Sequence, residues 1–195
     1  MIDSLSINPT LDYKKLLIYP DSDNIRIKGL IKKTLLESPD ILYLLNAAEP
    51  SLEPEGYFNK YILPFLIADN ANTDVRNCLC YETSFSKRSP LTQVCKRQHI
   101  IFYIYIDRED AIEPSSGIPR HDLLAHFITA EINWSHVFGP QCRLVSDRSG
   151  RTDLHYITRT LTFETELPNC ITHTDAGTGR SYIINSDDPK VEDYA

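Results

Sequence analysis

Gln98-His-Ile-Ile-Phe-Tyr-Ile-Tyr-Ile106 is the stretch on which the fold turns. Ile101, Tyr103 and Tyr105 alternate with Ile100, Phe102, Ile104 and Ile106, so an extended chain here is apolar on both faces. Such a strand belongs in the middle of a sheet, covered on both sides or covered on one side by another subunit. Upstream, Asn77-Cys-Leu-Cys-Tyr-Glu-Thr-Ser-Phe85 reads as a partner strand, joined through the polar, basic Ser86 to Val94 hairpin loop. Downstream, Pro119-Arg120-His121-Asp122 opens a helix, and Gln141-Cys-Arg-Leu-Val145 and His155 to Glu164 supply two more strands. A helix over about residues 24 to 37 precedes them all. The order α-β-β-α-β-β predicts a single α/β (α+β) domain over residues 24–168. Its four-stranded, mostly antiparallel or mixed sheet is flanked by two main helices. Residues 1–23 read as an extended N-terminal arm and 169–195 as a polar C-terminal arm.

The first helix is expected from Asn24 as cap and from Ile27, Leu30, Ile31, Thr34 and Leu35, which fall on one stripe. Lys28, Lys32 and Lys33 lie largely outside that stripe, as a solvated face or as a basic strip for an acidic partner or DNA. Ser38-Pro39 ends the helix, because the residue before proline avoids the α region. Asp40 to Leu45 adds one or two helical turns, and Glu49 to Phe58 reads as a loop. Tyr61 to Ile67 is apolar but holds Pro64, so it is expected at an edge or in an arm. Asp107 to Ile118 reads as an acidic, projecting loop, and Ser146 to Asp153 as a charged loop. Leu123, Leu124, Phe127, Ile128 and Ile132 give the second helix, Pro119 to Asn133, its apolar face.

The chain has 195 residues, 42% of them apolar and 24% charged, within the ordinary range for a globular domain. Folding at that size hides roughly 70% of the unfolded surface, so a core forms without staples. The net charge of −7 disfavours a broad nucleic-acid surface, which needs cations to displace counterions. Five cysteines (Cys78, Cys80, Cys95, Cys142 and Cys170) have no disulfide spacing and read as buried structural thiols of a reducing compartment. Residues 1 to 20 do not read as a signal peptide, and no apolar run approaches the ~20 residues of a membrane span.

The strongest candidate chemistry gathers Asp107, Glu109, Asp110, His121, Asp122 and His126. Asp122 and His126 share a helix face, so a small metal-dependent hydrolase or nuclease using Asp107, Asp122 and His126 is the competing reading. The spacing matches no dedicated motif, and acidic side chains beside a helix start are also ordinary solvated partners of its dipole. Arg120 opposes that dipole unless an acid pairs with it; Asp107 or Glu109 would do so locally, or an acid of a neighbouring subunit. Ser135-His136 lacks a nucleophile elbow, and Asp175-Ala-Gly-Thr-Gly179 lacks the lysine and helix of a phosphate loop. Arg143, Arg148, Arg151 and Arg159, partly offset by Asp147 and Asp153, read as a solvated loop or a narrow DNA contact.

The helix Ile25 to Glu37, the Tyr57-Phe-Asn-Lys-Tyr-Ile-Leu-Pro-Phe65 arm, the Gly117-Ile-Pro-Arg-His-Asp-Leu-Leu124 helix start and the closing Tyr156-Ile-Thr-Arg-Thr-Leu-Thr-Phe163 strand together resemble neck proteins of tailed bacteriophages, the tail-terminator and head–tail connector families. The resemblance covers roughly residues 25 to 170. It implies a structural virion protein, a homo-oligomeric ring that is commonly a hexamer, placed in the neck and assembled in the host cytoplasm. A tail terminator is the leading expectation and a head-completion or stopper ring the alternative. Implied partners are copies of the chain, neighbouring connector and tail-tube proteins, and DNA that passes through the lumen without specific binding. No membrane contact, no cofactor, no metal and no catalytic residue are implied. Contacts with subunits or partners are expected at Asp107, Glu109, Arg120 and Asp122. Tyr182, Ile183 and Ile184 are expected to add a strand to a neighbouring sheet edge.

Overall fold

The computed structural model describes residues 23–45, 52–66, 77–87, 95–138, 141–151, 155–168, 171–173 and 179–181. The chain divides between Arg26 and Ile27 and between Asn169 and Cys170 into two units, each described by itself. Helix α1 (Asp23–Leu36) carries the first division, and the larger unit continues with α2 (Pro39–Leu44), α3 (Pro54–Tyr57), β1 (Ile62–Leu63), β2 (Asn77–Lys87) and β3 (Cys95–Asp107). A 3-10 turn (Arg108–Asp110), α4 (Arg120–Ile132), β4 (Arg143–Arg151) and β5 (Tyr156–Pro168) complete it.

The fold is mixed α+β, with a five-stranded sheet in the order β1-β2-β3-β5-β4. The doubly apolar strand is indeed central: β3 pairs antiparallel with β2 along Asn77↔Ile106 to Lys87↔Lys96 and with β5 along Cys95↔Pro168 to Asp107↔Tyr156. The strand beyond the expected four is β1, parallel to β2 through Ile62↔Leu79 and Leu63↔Cys80. Pro64 follows it at the edge, where a missing N–H leaves no ladder bond unmade.

Leu79, Tyr81, Ile100, Phe102, Ile104, Ile106, Leu161 and Phe163 share one face of the sheet and are buried. Ile27, Ile31 and Leu35 of α1 and Leu124, Ile128 and Ile132 of α4 lie in the same core. Each stripe repeats every three or four residues, the spacing that keeps side chains on one side of a helix. Tyr81, held in this core, donates its hydroxyl to the Lys28 carbonyl of α1 (3.2 Å), and Phe102 meets Phe163 edge to face at 5.8 Å. On the opposite face Ile101, Tyr103 and Tyr105 are half-buried.

Several local expectations are corrected. Asn24 lies inside α1, which starts one residue earlier. The span 49–58 holds the one-turn helix α3, started by Pro54, whose fixed φ suits a first helical position. The charged stretch 146–151 is the greater part of β4 and not a loop; its charges suit an edge strand. Residues 112–118 form a turn ordered by the Glu113 carboxylate, which binds the Ser115 and Ser116 N–H groups, and all of them but Glu113 are exposed. The three lysines of α1 are engaged within the chain. Lys28 donates to the Pro64 carbonyl (2.6 Å), Lys32 pairs with Glu55 (2.7 Å) over the Phe58 ring, and Lys33 pairs with Glu37.

In the smaller unit β6 (Ile171–His173) pairs antiparallel with β7 (Gly179–Ser181). The strand expected at Tyr182 to Ile184 lies outside the described residues, and the hairpin stands just upstream of it.

Candidate functional site

Where β3 ends, polar groups are drawn into the core in one connected network. Asn77, buried at the start of β2, donates to Asp110 Oδ2 (2.5 Å) and to the Leu45 carbonyl (3.3 Å), and its Oδ1 accepts from the Asp107 N–H (3.1 Å). Asp110 Oδ1 lies 3.3 Å from Nε of Arg120, whose side chain is only 5% exposed. The acid that balances Arg120 is therefore Asp110, and neither Asp107 nor Glu109. Asp107 instead caps the 3-10 turn, accepting the Glu109 N–H at 2.8 Å, and Glu109 is exposed. Asp110 closes the 3-10 turn, and from there its carboxylate reaches both Asn77 and Arg120.

Asp122 is taken up elsewhere. Arg159, on β5, grips Asp147 of β4 through Nε and Nη2, both at 2.7 Å, and reaches Asp122 of α4 through Nη1. This clasp is 23% exposed on the arginine side. His121 Nε2 stands 3.4 Å from Asp122. Burial depresses the His121 pKa, and the neighbouring Arg159 adds to this while Asp122 opposes it. His126 is exposed beside Phe127. Asp107, Asp122 and His126 are thus in three different settings, and among the described residues no three His, Cys, Asp or Glu side chains gather as a metal site.

Glu113, absent from the sequence reading as a site, organises the turn before α4. Its carboxylate accepts from the Ser115 hydroxyl (2.7 Å), the Ser115 and Ser116 N–H groups (3.1 and 2.7 Å) and the Tyr43 hydroxyl (3.1 Å). The Ser115 hydroxyl, followed by Ser116, is the main cause of a pKa lowered to about 2, since each donor favours the ionised form. Gly117 closes the turn at φ +69, a conformation glycine adopts without strain.

At the far end of α4 the chain turns through Trp134, 61% exposed at φ +61. That left-handed backbone is held by Trp134 N–H to the Cys142 carbonyl (2.6 Å) and Cys142 N–H to the Ser135 carbonyl (3.0 Å). Asn133 Oδ1 also accepts the Leu144 N–H (2.8 Å). Trp134 borders a cavity of about 270 Å³ with Gln141, Arg143, Arg97, Glu164, Thr165 and Glu166. Arg97 and His99 each lie 3.6 Å from Glu164, so much of the charge there is paired.

From Ser146 to Arg151 the strand β4 pairs only with β5 among the described residues, and it forms an outer edge of the sheet. A bulge between Leu144 and Ser146 precedes this run, and Arg148 is exposed. The sequence reading missed the edge because Asp147, Arg148 and Arg151 look like loop residues. Cys78, Cys80 and Cys142 are buried and form no disulfide. Contact between Cys78 and Cys80, with burial, raises the Cys78 pKa, and burial pushes Cys142 up to about 12. Thiols so disfavoured from ionising behave as small hydrophobes. No described helix is long and apolar enough to cross a membrane.

The model of the YomW family matches residues 12–165, which span α1 to most of β5. The chain belongs to the YomW family. That family is named after a gene product of an SPbeta-like prophage region of Bacillus, which points to a phage origin. No curated protein matches it.

Proposed function

We propose that this YomW-family chain is a structural subunit of the phage particle, assembling with its own copies into a ring of the neck, at the tail-terminator tier. Its phage-associated family supports the setting. The observation that carries the assembly role is the sheet: β3 keeps Ile101, Tyr103 and Tyr105 on the face away from Phe102, and β4 leaves an arginine-bearing edge. Sheet edges and apolar faces of this kind are the surfaces on which subunits join. The neighbours in this reading are connector and tail-tube proteins, and DNA passes without being gripped. The chain supplies geometry and performs no bond-breaking.

Two measurements test the proposal. Light scattering on the purified chain, over rising concentration, is expected to give a discrete multiple of the subunit mass; a monomer throughout overturns the ring. Electron microscopy of particles assembled without the chain is expected to show tails of uncontrolled length. Heads without tails beside normal free tails would move the protein to the head-completion tier. Calorimetric titration with Mg²⁺, Mn²⁺ or Zn²⁺ tests the hydrolase alternative: binding accompanied by phosphodiester or ester turnover would overturn the structural reading.

A further inference from the structure

The beginning of β4 is already occupied: the Leu144 N–H is bound by Asn133, and Cys142 exchanges backbone bonds with Trp134 and Ser135. Beyond the bulge, Ser146 to Arg151 offer six residues of unshared edge among the described residues. At ~3.4 Å per residue this is about 20 Å of backbone donors and acceptors. Asp147 is consumed by Arg159, whereas Arg148, like Arg143 at the strand's start, makes no ion pair among the described residues. The edge therefore presents two arginines without an ion pair among the described residues, on a chain whose net charge is −7.

We infer that this edge receives the C-terminal segment of a second copy, with Tyr182-Ile-Ile184 adding as a strand and the acidic residues beyond it meeting Arg148 and Arg143. Charge selects the occupant: residues 185–195 hold Asp187, Asp188, Glu192 and Asp193 against one lysine, Lys190. Strand propensity supports it, since an aromatic followed by two β-branched residues fits a pleated edge. Backbone hydrogen bonds supply the attachment, and the opposite charges set register and partner choice. An arginine-bearing edge guarded by a bulge resists pairing with strands in general, so an acidic partner is favoured selectively. The inference rests on the ring reading and names the contact that would close it.

The test uses the full chain in two single-cysteine additions, Ser149→Cys and Ile183→Cys, mixed in equal amounts under mild oxidation. A disulfide between the two is expected in excess of either variant alone, and because each chain carries one added thiol it can only join separate copies. Arg148→Glu placed on the Ser149→Cys chain is expected to reduce that product to the background of the single variants. Asp187→Lys with Asp188→Lys on the Ile183→Cys chain is expected to restore it. Circular dichroism checks that each variant folds, which the exposure of Arg148 favours. If wild-type chain forms rings yet the mixed disulfide is absent or indifferent to Arg148→Glu, the edge assignment fails and the ring stands. A wild-type monomer with no mixed disulfide overturns both.

Discussion

The two outer strands of the sheet end it in opposite ways. At one margin β1 contributes two residues, Ile62 and Leu63, both buried, and Pro64 follows with its carbonyl bound by Lys28. At the other, β4 runs for nine residues with exposed Arg143, Val145 and Arg148. Each side has an arginine clasp of matching character. Arg120 is buried against Asp110 and Asn77 beside β2, whereas Arg159 is partly solvated between Asp122 and Asp147 beside β4. One margin is finished inside the subunit and the other is left accessible. Under the proposed ring assembly this difference would separate the side that holds the fold from the side that a neighbour uses.

Breaking the two clasps should expose that contrast most strongly. Arg120→Ala is expected to cost about 3–5 kcal/mol in urea unfolding, because Asp110 would be left without its cation in a largely buried site. Arg159→Ala should cost about 1 kcal/mol or less, since water screens Asp122 and Asp147. Equal losses would mean that the β4 side is as much a part of the stable core as the β2 side.

Truncating apolar edge residues gives the next largest contrast. Ile62, fully buried, should lose about 2–4 kcal/mol on replacement by alanine, through lost transfer energy and the cavity left behind. Val145, the 45% exposed residue at the bulge, should stay within about 0.5 kcal/mol when replaced by alanine. A loss at Val145 comparable with that at Ile62, measured on dilute monomer by the same unfolding assay, would show that the β4 edge is covered within one chain.

How much of this was legible depended on whether the signal was local. The alternation from Ile100 to Ile106 names a central strand because a short run that is apolar at every position, rich in isoleucine and aromatics, needs cover on both of its faces. The α1 and α4 stripes are equally plain, and Pro64 alone argues for an edge. The start of β4 is legible in Gln141 to Val145, but its run from Ser146 to Arg151 is hidden because an edge strand takes the composition of a loop: charges and Gly150. Arg120 was recognisable as needing an acid, but Asp110 became that acid only through the 3-10 turn. Asn77 and Glu113 could not be found from pattern, because many of their partners are backbone groups (the Leu45 carbonyl, the Asp107 N–H, the Ser115 and Ser116 N–H groups) and others, Asp110 and Tyr43, lie more than thirty residues away.

The last contrast is confined to acid pH and belongs to the closed side, where Tyr43 of α2 reaches Glu113. The folded-state pKa of Glu113 is lowered from 4.5 to about 2, so its ionised form is the one the turn favours. The stabilisation is complete above pH 4.5, where the carboxylate is charged whether the chain is folded or not. As pH falls from there through about 2, the unfolded chain takes up the proton first and the contribution is lost. Glu113→Gln should therefore unfold at a lower temperature than wild type near neutrality, with the gap narrowing across that window and closing at its lower end. A gap of constant width would mean that the Ser115, Ser116 and Tyr43 donors recognise the shape of the side chain and not its charge. The turn would then hold the start of α4 by packing alone, and the closed margin would owe nothing to ionisation there.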